Sequence, residues 1–170
     1  ARITFNATIN VPQGLRAVMS AENIPDMPDD GVFTFCMNKP IPTHLLAIAV
    51  GELSFQATGP RSGIYTEPGM LAAAVKEFED TESMIQIAES ILGPYAWGRF
   101  DMIILPPSFP FGGMENPMLA FMPPTLIAGD KSLVSTVAHE LAHSWTGNLV
   151  SNATWRDLWL NEGFTTYFTN

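Results

Sequence analysis

Residues 132–147 read SLVSTVAHELAHSWTG, and this stretch decides the fold because it joins an apolar helical stripe to a pair of potential metal ligands. His139 and His143 are four residues apart, so both imidazoles lie on one face of the predicted helix and can reach one metal ion. Glu140 follows the first histidine directly, where it can handle protons. The stretch therefore predicts a helix that carries a hydrolytic metal site.

The predicted helix has a recognisable start and end. Asp130 or Ser132 can cap its N-terminus, and Gly147 suits the left-handed conformation that often follows a helix. Both histidines are therefore predicted to lie on a rigid element, as a metal site requires. Apolar side chains at helical spacing give this helix one buried face, formed by Leu133, Val134, Val137, Ala138, Leu141 and Trp145.

A third ligand candidate lies in the segment WLNEGF, residues 159–164. Glu162 belongs there to a second predicted helix, residues 155–168, with Thr154 as its N-cap. Catalytic zinc takes three N and O ligands and leaves a fourth position for water, although Glu162 could also be a plain surface carboxylate. The chain has only three histidines, so two of them in one motif argue against a chance pattern. The sequence thus predicts one Zn²⁺ per chain, bound by His139, His143 and Glu162.

The charge balance narrows the class of partner. With 17 acidic and 8 basic residues the net charge is −9, and no run of Lys or Arg could follow a phosphate backbone, so nucleic acid is not a predicted partner. A negative field favours a cationic ligand such as the free amino terminus of a peptide, although acidity also serves solubility. The longest apolar run, residues 45–51, is too short to cross a bilayer, so no membrane partner is predicted.

The chain limits and the cysteine content give two further expectations. The sequence begins with Ala1 and stops at Asn170 inside a helical pattern, so we expect a fragment of a larger protein. The single Cys36 excludes an internal disulfide and favours a reducing, cytoplasmic compartment.

Hydrophobic periodicity divides the chain into two parts. Residues 1–60 alternate apolar and polar positions, which predicts part of an antiparallel sheet, and GPRSG at 59–63 marks the predicted boundary. Helical spacing follows over residues 71–92 and a short buried strand over 102–105, so the chain as a whole is predicted to be α+β. The predicted strands of the first part cover residues 3–11, 15–19, 32–37, 45–50 and 53–57.

A glycine-rich segment precedes the motif helix. Residues 110–117 read PFGGMENP, and their Gly-Gly and Asn-Pro pairs are turn signals, so a plain surface turn is one interpretation. Because a metal motif follows this segment in the sequence, we favour a second interpretation, in which the segment binds the substrate. A carboxylate on an exposed, glycine-flanked strand could bind the charged amine of a substrate at a fixed distance from the metal, and Glu115 is the candidate.

These motifs together resemble the gluzincin aminopeptidases related to aminopeptidase N, and in detail the leukotriene-A4 hydrolase branch with its bacterial aminopeptidase relatives. The similarity covers nearly the whole chain. It implies that residues 1–60 end an N-terminal antiparallel β domain and that residues 61–170 form the front part of a thermolysin-like catalytic domain. The segments that carry the resemblance are PPSFP at 106–110, GGMEN at 112–116, GDKSL at 129–133, HELAH at 139–143, SWTGNLV at 144–150 and NEG at 161–163.

The resemblance also implies a role for each candidate residue. Glu140 would be the general base and Glu115 the anchor of the substrate amine, beside the zinc ligands already listed. Trp155 would line an apolar pocket, but Leu158 stands where the mammalian hydrolase has an aromatic residue, which argues against selectivity for a lipid epoxide. The family's transition-state tyrosine lies beyond this chain, and Tyr167 does not match its position. The segment that would align the substrate backbone beside the metal comprises Gly112, Gly113, Met114, Glu115 and Asn116.

The predicted function is zinc-dependent removal of N-terminal residues from peptides that have a free amino terminus. One alternative is a bifunctional enzyme that also opens a fatty-acid epoxide at the same zinc. Another is a zinc-binding fragment that is inactive by itself, because parts of the parent chain are missing. A purely structural zinc would prefer four protein ligands, so three ligands beside Glu140 favour an enzyme.

Overall fold

Eight β-strands and four α-helices make up the computed structural model, which describes residues 1–170. The mixture of helix and sheet confirms the predicted α+β class. The strands are β1 (Arg2–Asn10), β2 (Arg16–Met19), β3 (Val32–Pro42), β4 (Ile48–Gly51), β5 (Ser54–Ala57), β6 (Ser62–Thr66), β7 (Phe100–Ile104) and β8 (Leu119–Met122). The helices are α1 (Pro68–Glu77), α2 (Thr81–Leu92), α3 (Val134–Ala142) and α4 (Leu158–Thr169). None of the helices combines the length and the apolar character needed to cross a membrane.

A four-stranded mixed sheet forms the centre of the molecule, with the strand order β5-β6-β7-β8. Strands β6, β7 and β8 are parallel, and β5 is antiparallel to β6. Helices α1 and α2 connect β6 to β7. All residues of β6, β7 and β8 are buried, as is typical of parallel strands that are covered on both faces.

The two faces of this sheet pack against different parts of the chain. Helices α1, α2 and α3 cover one face, where Ile64, Met102 and Met122 contact Val137 and Leu141 of the motif helix. On the other face a cluster of Val18, Tyr65, Ile103, Leu119 and Phe121 joins the sheet to the N-terminal strands. The motif helix is thus anchored on a closed apolar core.

The N-terminal strands form two separate antiparallel pairs, β1–β3 and β2–β4, and not the single sheet that the alternation suggested. Strand β3 extends to Pro42, and a 3₁₀ turn at Thr43–Leu45 interrupts the predicted strand 45–50. The chain therefore leaves one strand pair and enters the other within a few residues. Trp97 fills the core beneath β1 and β3.

Two strands of the central sheet, β6 and β8, have no counterpart in the sequence prediction. The segment 59–63 is the turn of the β5–β6 hairpin, because Thr58 and Gly59 both donate backbone hydrogen bonds to the carbonyl of Ser62, at 3.0 and 3.2 Å. The hairpin crosses the predicted division at residue 60. Strand β5 therefore belongs to the same sheet as the strands that follow the division.

Candidate metal centre

Helix α3 begins without a side-chain cap, so the prediction that Asp130 or Ser132 caps it is wrong. The Asp130 carboxylate instead accepts a hydrogen bond from the backbone N–H of Ser132 at 3.0 Å, and Leu133 occupies the N-cap position. Helical geometry persists one residue past α3, because His143 keeps right-handed dihedral angles and its N–H bonds to the carbonyl of His139 at 3.2 Å. Both histidines therefore keep the helical spacing that the motif requires.

A buried glutamate fixes the loop that leads into α3. Glu77, at the end of α1, accepts hydrogen bonds from the backbone N–H groups of Gly129 at 2.8 Å and Lys131 at 2.9 Å. Lys131 also pairs with Glu79 and Asp80 on the surface. Because α1 packs on the central sheet, these bonds tie the start of the motif helix to the core.

Helices α3 and α4 bring the three predicted metal ligands together. The Nε2 atoms of His139 and His143 are 3.1 Å apart, and Oε2 of Glu162 lies 3.3 Å from the first and 3.5 Å from the second. Tetrahedral zinc with bonds of about 2.0–2.1 Å would separate its ligand atoms by roughly 3.3 Å. The triangle of two nitrogens and one carboxylate oxygen therefore fits zinc in both donor type and size.

The orientation of the His143 ring is fixed by contacts at Nδ1, the ring nitrogen that faces away from the ligand triangle. Its Nδ1 lies 3.0 Å from the carbonyl oxygen of Thr146 and 3.0 Å from Oγ1 of Thr165. Thr165 is fully buried, and its hydroxyl donates to the carbonyl of Asn161 at 2.8 Å. The carbonyl of Thr146 accepts the hydrogen of Nδ1, so Nε2 keeps its lone pair on the side of the ligand triangle.

Sequence reasoning missed Thr165, although a signal was present. Thr165 follows Glu162 by three residues, and residues three apart lie on neighbouring positions of a helix surface. That spacing places the Thr165 hydroxyl on the same side of α4 as Glu162, and the packing of α4 against α3 brings it to His143.

Two carboxylates lie beside the ligand triangle. Glu140 is buried on α3, and one carboxylate oxygen of Glu140, one of Glu115 and one ring nitrogen of His143 all lie within 4.8 Å of one another. Burial first, and then the nearby charges of Glu115 and Glu162, raise the pKa of Glu140 to about 8. A cation held at the ligand triangle would stabilise the ionised form of Glu140. Burial and the neighbouring His143 lower the pKa of His139, which favours the neutral imidazole that a metal needs.

The glycine-rich segment runs along the edge of the central sheet and over Glu140. Met114 forms an antiparallel bridge with Phe121 of β8, with N–H to carbonyl distances of 2.9 and 3.0 Å. At Gly113 a Cβ atom would lie 2.8 Å from Cδ of Glu140 and closer still to Oε1, so a side chain cannot be accommodated without moving the carboxylate. Gly112 has open space around it.

These residues line a cavity of about 560 Å³. Its polar lining includes the three ligand candidates, Glu140 and Glu115, and Met114 is its one hydrophobic residue. The side chains of Asn116 and Trp155 lie elsewhere. Asn116 donates from Nδ2 to the carbonyl of Leu45 at 3.0 Å, and Trp155 is exposed and contacts His44 edge to face with ring centroids 4.8 Å apart. The substrate contacts of Asn116 and Trp155 stay predictions.

Two histidines on one helix, a glutamate on the next and a buried carboxylate beside them form the arrangement of a zinc metallopeptidase site. The chain belongs to peptidase family M1, since the model for the peptidase family M1 domain matches residues 76–170.

Curated relatives and solved structures match over almost the entire chain. Leukotriene A-4 hydrolase of Xenopus laevis is 48% identical over 98% of this chain, and aminopeptidase B of Mus musculus is 48% identical over 98% of it. The matched regions cover 28% and 26% of those relatives, so the chain spans about a quarter of their length.

Among solved structures, yeast LTA4 hydrolase superposes with a TM-score of 0.92 and 47% identity, covering 99% of this chain and 26% of the yeast chain. An M1 zinc metallopeptidase mutant from Deinococcus radiodurans, bound to a Tyr-Ser-Ala substrate, has a TM-score of 0.82 and 26% identity over 99% of this chain and 40% of that chain.

Proposed function

We propose that this chain carries the metal site of a zinc-dependent aminopeptidase. The observation that supports this most directly is the position of Glu115, because one of its carboxylate oxygens lies within 4.8 Å of a carboxylate oxygen of Glu140 and of a ring nitrogen of His143. A free amino terminus bound there would place the first peptide bond beside the metal ligands. Because the chain spans about a quarter of its curated relatives, we assign the activity to a longer protein that contains residues 1–170.

The domain organisation is part of the same proposal. Residues 1–60 would end an N-terminal β domain, and residues 61–170 would form the front part of a thermolysin-like catalytic domain. Strand β5 pairs with β6 of the central sheet, so the β5–β6 hairpin spans the proposed division at residue 60.

His139, His143 and Glu162 would hold the zinc ion, with Nε2 of each histidine facing it. When bound, zinc would acidify a water molecule and polarise the carbonyl group of the substrate. Glu140 would accept the proton of the attacking water at a carboxylate oxygen and pass it to the nitrogen of the leaving amine. A cation at the ligand triangle would lower the pKa of Glu140 from its metal-free value, so that the carboxylate is ionised and can accept the proton.

The glycine-rich segment would orient the substrate for this step. Met114 is already hydrogen-bonded to β8, so the segment is a fixed extension of the sheet edge. Gly112 and Gly113 have no side chains to keep a peptide away, and an extended peptide can bind such an edge through backbone hydrogen bonds. Glu115 would then bind the terminal ammonium by a charge-assisted hydrogen bond.

A peptide is a better substrate for this cavity than a lipid epoxide. The two curated relatives are named for different activities and are equally similar to the chain, so identity does not separate them. The part of the cavity that residues 1–170 line supports the peptide, because Met114 is its one hydrophobic residue. Burying a fatty-acid chain requires apolar walls. Turnover of a fatty-acid epoxide at a rate comparable to that of peptides would contradict this preference.

Acetylation of the substrate tests the function directly. The complete zinc-loaded protein is expected to cleave the first bond of a peptide with a free amino terminus much faster than that of the N-acetylated peptide. Glu115→Gln is expected to lower kcat/KM for the free peptide by about ten- to hundred-fold, since a bond to a charged group is lost. Glu22→Gln, a change at an exposed glutamate, is the matched control. Equal cleavage of free and acetylated peptides would remove the basis for an aminopeptidase.

The contact between the Thr165 hydroxyl and Nδ1 of His143 leads to a second prediction. Thr165→Val keeps the shape of the side chain but removes the hydroxyl near Nδ1, and it is expected to weaken zinc binding about ten-fold. Thr165→Ser retains the hydroxyl and is expected to retain most of the affinity. Competition with a chelator measures both variants. Identical zinc affinity of the valine variant and the unmodified protein would show that Thr165 has no influence on the site.

A further inference from the structure

Asn148 connects the turn after the motif helix to the glycine-rich segment, residues 110–117. It is buried, with 1% of its surface exposed, in the turn that follows α3. Its backbone N–H donates to the carbonyl of His143 at 2.9 Å, and its side-chain Nδ2 donates to the carbonyl of Glu115 at 2.8 Å. One residue is therefore bonded directly to the backbone of a metal-ligand candidate and to that of the amine-anchor candidate.

The turn that carries Asn148 is itself tightly bonded. The N–H of Gly147 donates to the carbonyl of Val150 at 2.7 Å, and the N–H of Val150 donates to the carbonyl of Trp145 at 3.1 Å. Trp145 is buried in the core beneath α3. The position of the Asn148 amide is thus determined by the motif helix and its core.

The glycine-rich segment is held at three consecutive residues. Met114 is bridged to Phe121 of β8, Glu115 is bonded to Asn148, and Asn116 is bonded to the carbonyl of Leu45. The first bond leads to the sheet edge and the third to the N-terminal strands. Of these three bonds, the one from Asn148 ties the segment to the turn that follows the helix with both histidines.

Only one of the two possible orientations of the Asn148 side-chain amide is favourable. Its Oδ1 atom is buried and has no hydrogen-bond partner, so Nδ2 makes the single bond of this side chain. Rotating the amide by half a turn would place Oδ1 against the carbonyl oxygen of Glu115, and two acceptors repel each other.

We infer that Asn148 is a positioning residue that sets the distance between the amine anchor Glu115 and the metal ligands, and thereby which peptide bond is cleaved. This inference rests on the proposed aminopeptidase function. Asn148 contacts neither the substrate nor the metal in this scheme. It acts through the backbone of Glu115, so its loss should affect recognition of the free amine and leave zinc binding in place.

The test compares Asn148→Ala with Asn23→Ala in the complete zinc-loaded protein. Asn23 is also buried and also donates from Nδ2 to backbone carbonyls, at 2.8 and 2.9 Å, but lies in the loop that follows β2. For Asn148→Ala we expect full zinc content, a rise in KM for free peptides of about ten-fold, and an equal fall in the preference over acetylated peptides. Asn23→Ala should reduce thermal stability without changing that preference.

A binding measurement separates this inference from the proposed function. Calorimetry on zinc-depleted protein, with L-leucinamide and N-acetyl-L-leucinamide as probes, reports amine recognition without turnover. We expect Asn148→Ala to bind L-leucinamide about ten-fold more weakly than the unmodified protein does, and to bind N-acetyl-L-leucinamide with unchanged affinity. If the unmodified protein distinguishes the probes and Asn148→Ala distinguishes them equally well, the role of Asn148 is overturned while the function stands. If the unmodified protein distinguishes neither probes nor peptides, the function itself fails. Asn148→Ser replaces the alanine variant if the latter does not fold.

Discussion

Glu140→Gln in the complete protein is expected to retain zinc and to lose turnover of an aminoacyl chromogenic substrate by roughly 10²–10⁴-fold, the range of general acid–base catalysis. Glutamine has nearly the same shape as glutamate but cannot accept a proton from water. Glu140 also lies outside the triangle of His139, His143 and Glu162, so zinc keeps its three ligands. Metal analysis and steady-state kinetics on one preparation measure both properties.

Glu162→Gln provides the contrast for this prediction. Glu162 contributes the oxygen of the ligand triangle, so its replacement is expected to lower zinc content as well as turnover. The two variants thus separate loss of the base from loss of the metal. Near-normal turnover in zinc-loaded Glu140→Gln would rule out Glu140 as the base, and loss of zinc from that variant would place Glu140 among the ligands.

Local spacing made much of the metal centre predictable. The positions of His139 and His143 follow from helix geometry alone, because residues four apart share a face over any stable helix. The distance of Glu162 from the two histidines depends on how α4 packs against α3. The sequence gives no direct information on that packing, so Glu162 was predicted from its residue type and from a resemblance alone. Asn116 shows the limit of such reasoning. Neighbouring side chains in an extended segment point to opposite sides, so a segment that turns Glu115 into the cavity turns Asn116 away from it.

The central sheet was harder to predict for a related physical reason. Strands β6 and β8 are short and wholly buried, so they lack the alternation of polar and apolar residues that identifies a half-exposed strand. Gly59 and Pro60 lie just before strand β6, and these residue types are equally typical of a linker and of a hairpin turn. A linker and a hairpin turn differ here in whether β5 pairs with β6, and that pairing is a contact between two segments and not a local property of the sequence.

Gly113→Ala is expected to lower kcat/KM by about 10²-fold without loss of zinc, because a displacement of a catalytic group by about 1 Å has an effect of that size. The added Cβ would lie 2.8 Å from Cδ and 3.0 Å from Cγ of Glu140, so the carboxylate would have to leave its position beside the ligand triangle. Gly113 does not adopt a positive φ, so alanine introduces no backbone strain and the effect is purely steric.

Gly112→Ala is the matched comparison, since a Cβ at Gly112 meets no atom within 4 Å and leaves Glu140 in place. We expect it to retain at least about ten-fold more activity than Gly113→Ala. A double-variant cycle then tests the cause. If Gly113→Ala acts by displacing Glu140, adding Glu140→Gln should cost much less activity in the Gly113→Ala background than in the unmodified protein, because both changes disable the same group. Fully additive losses would mean that Gly113 acts on the substrate backbone and not through Glu140.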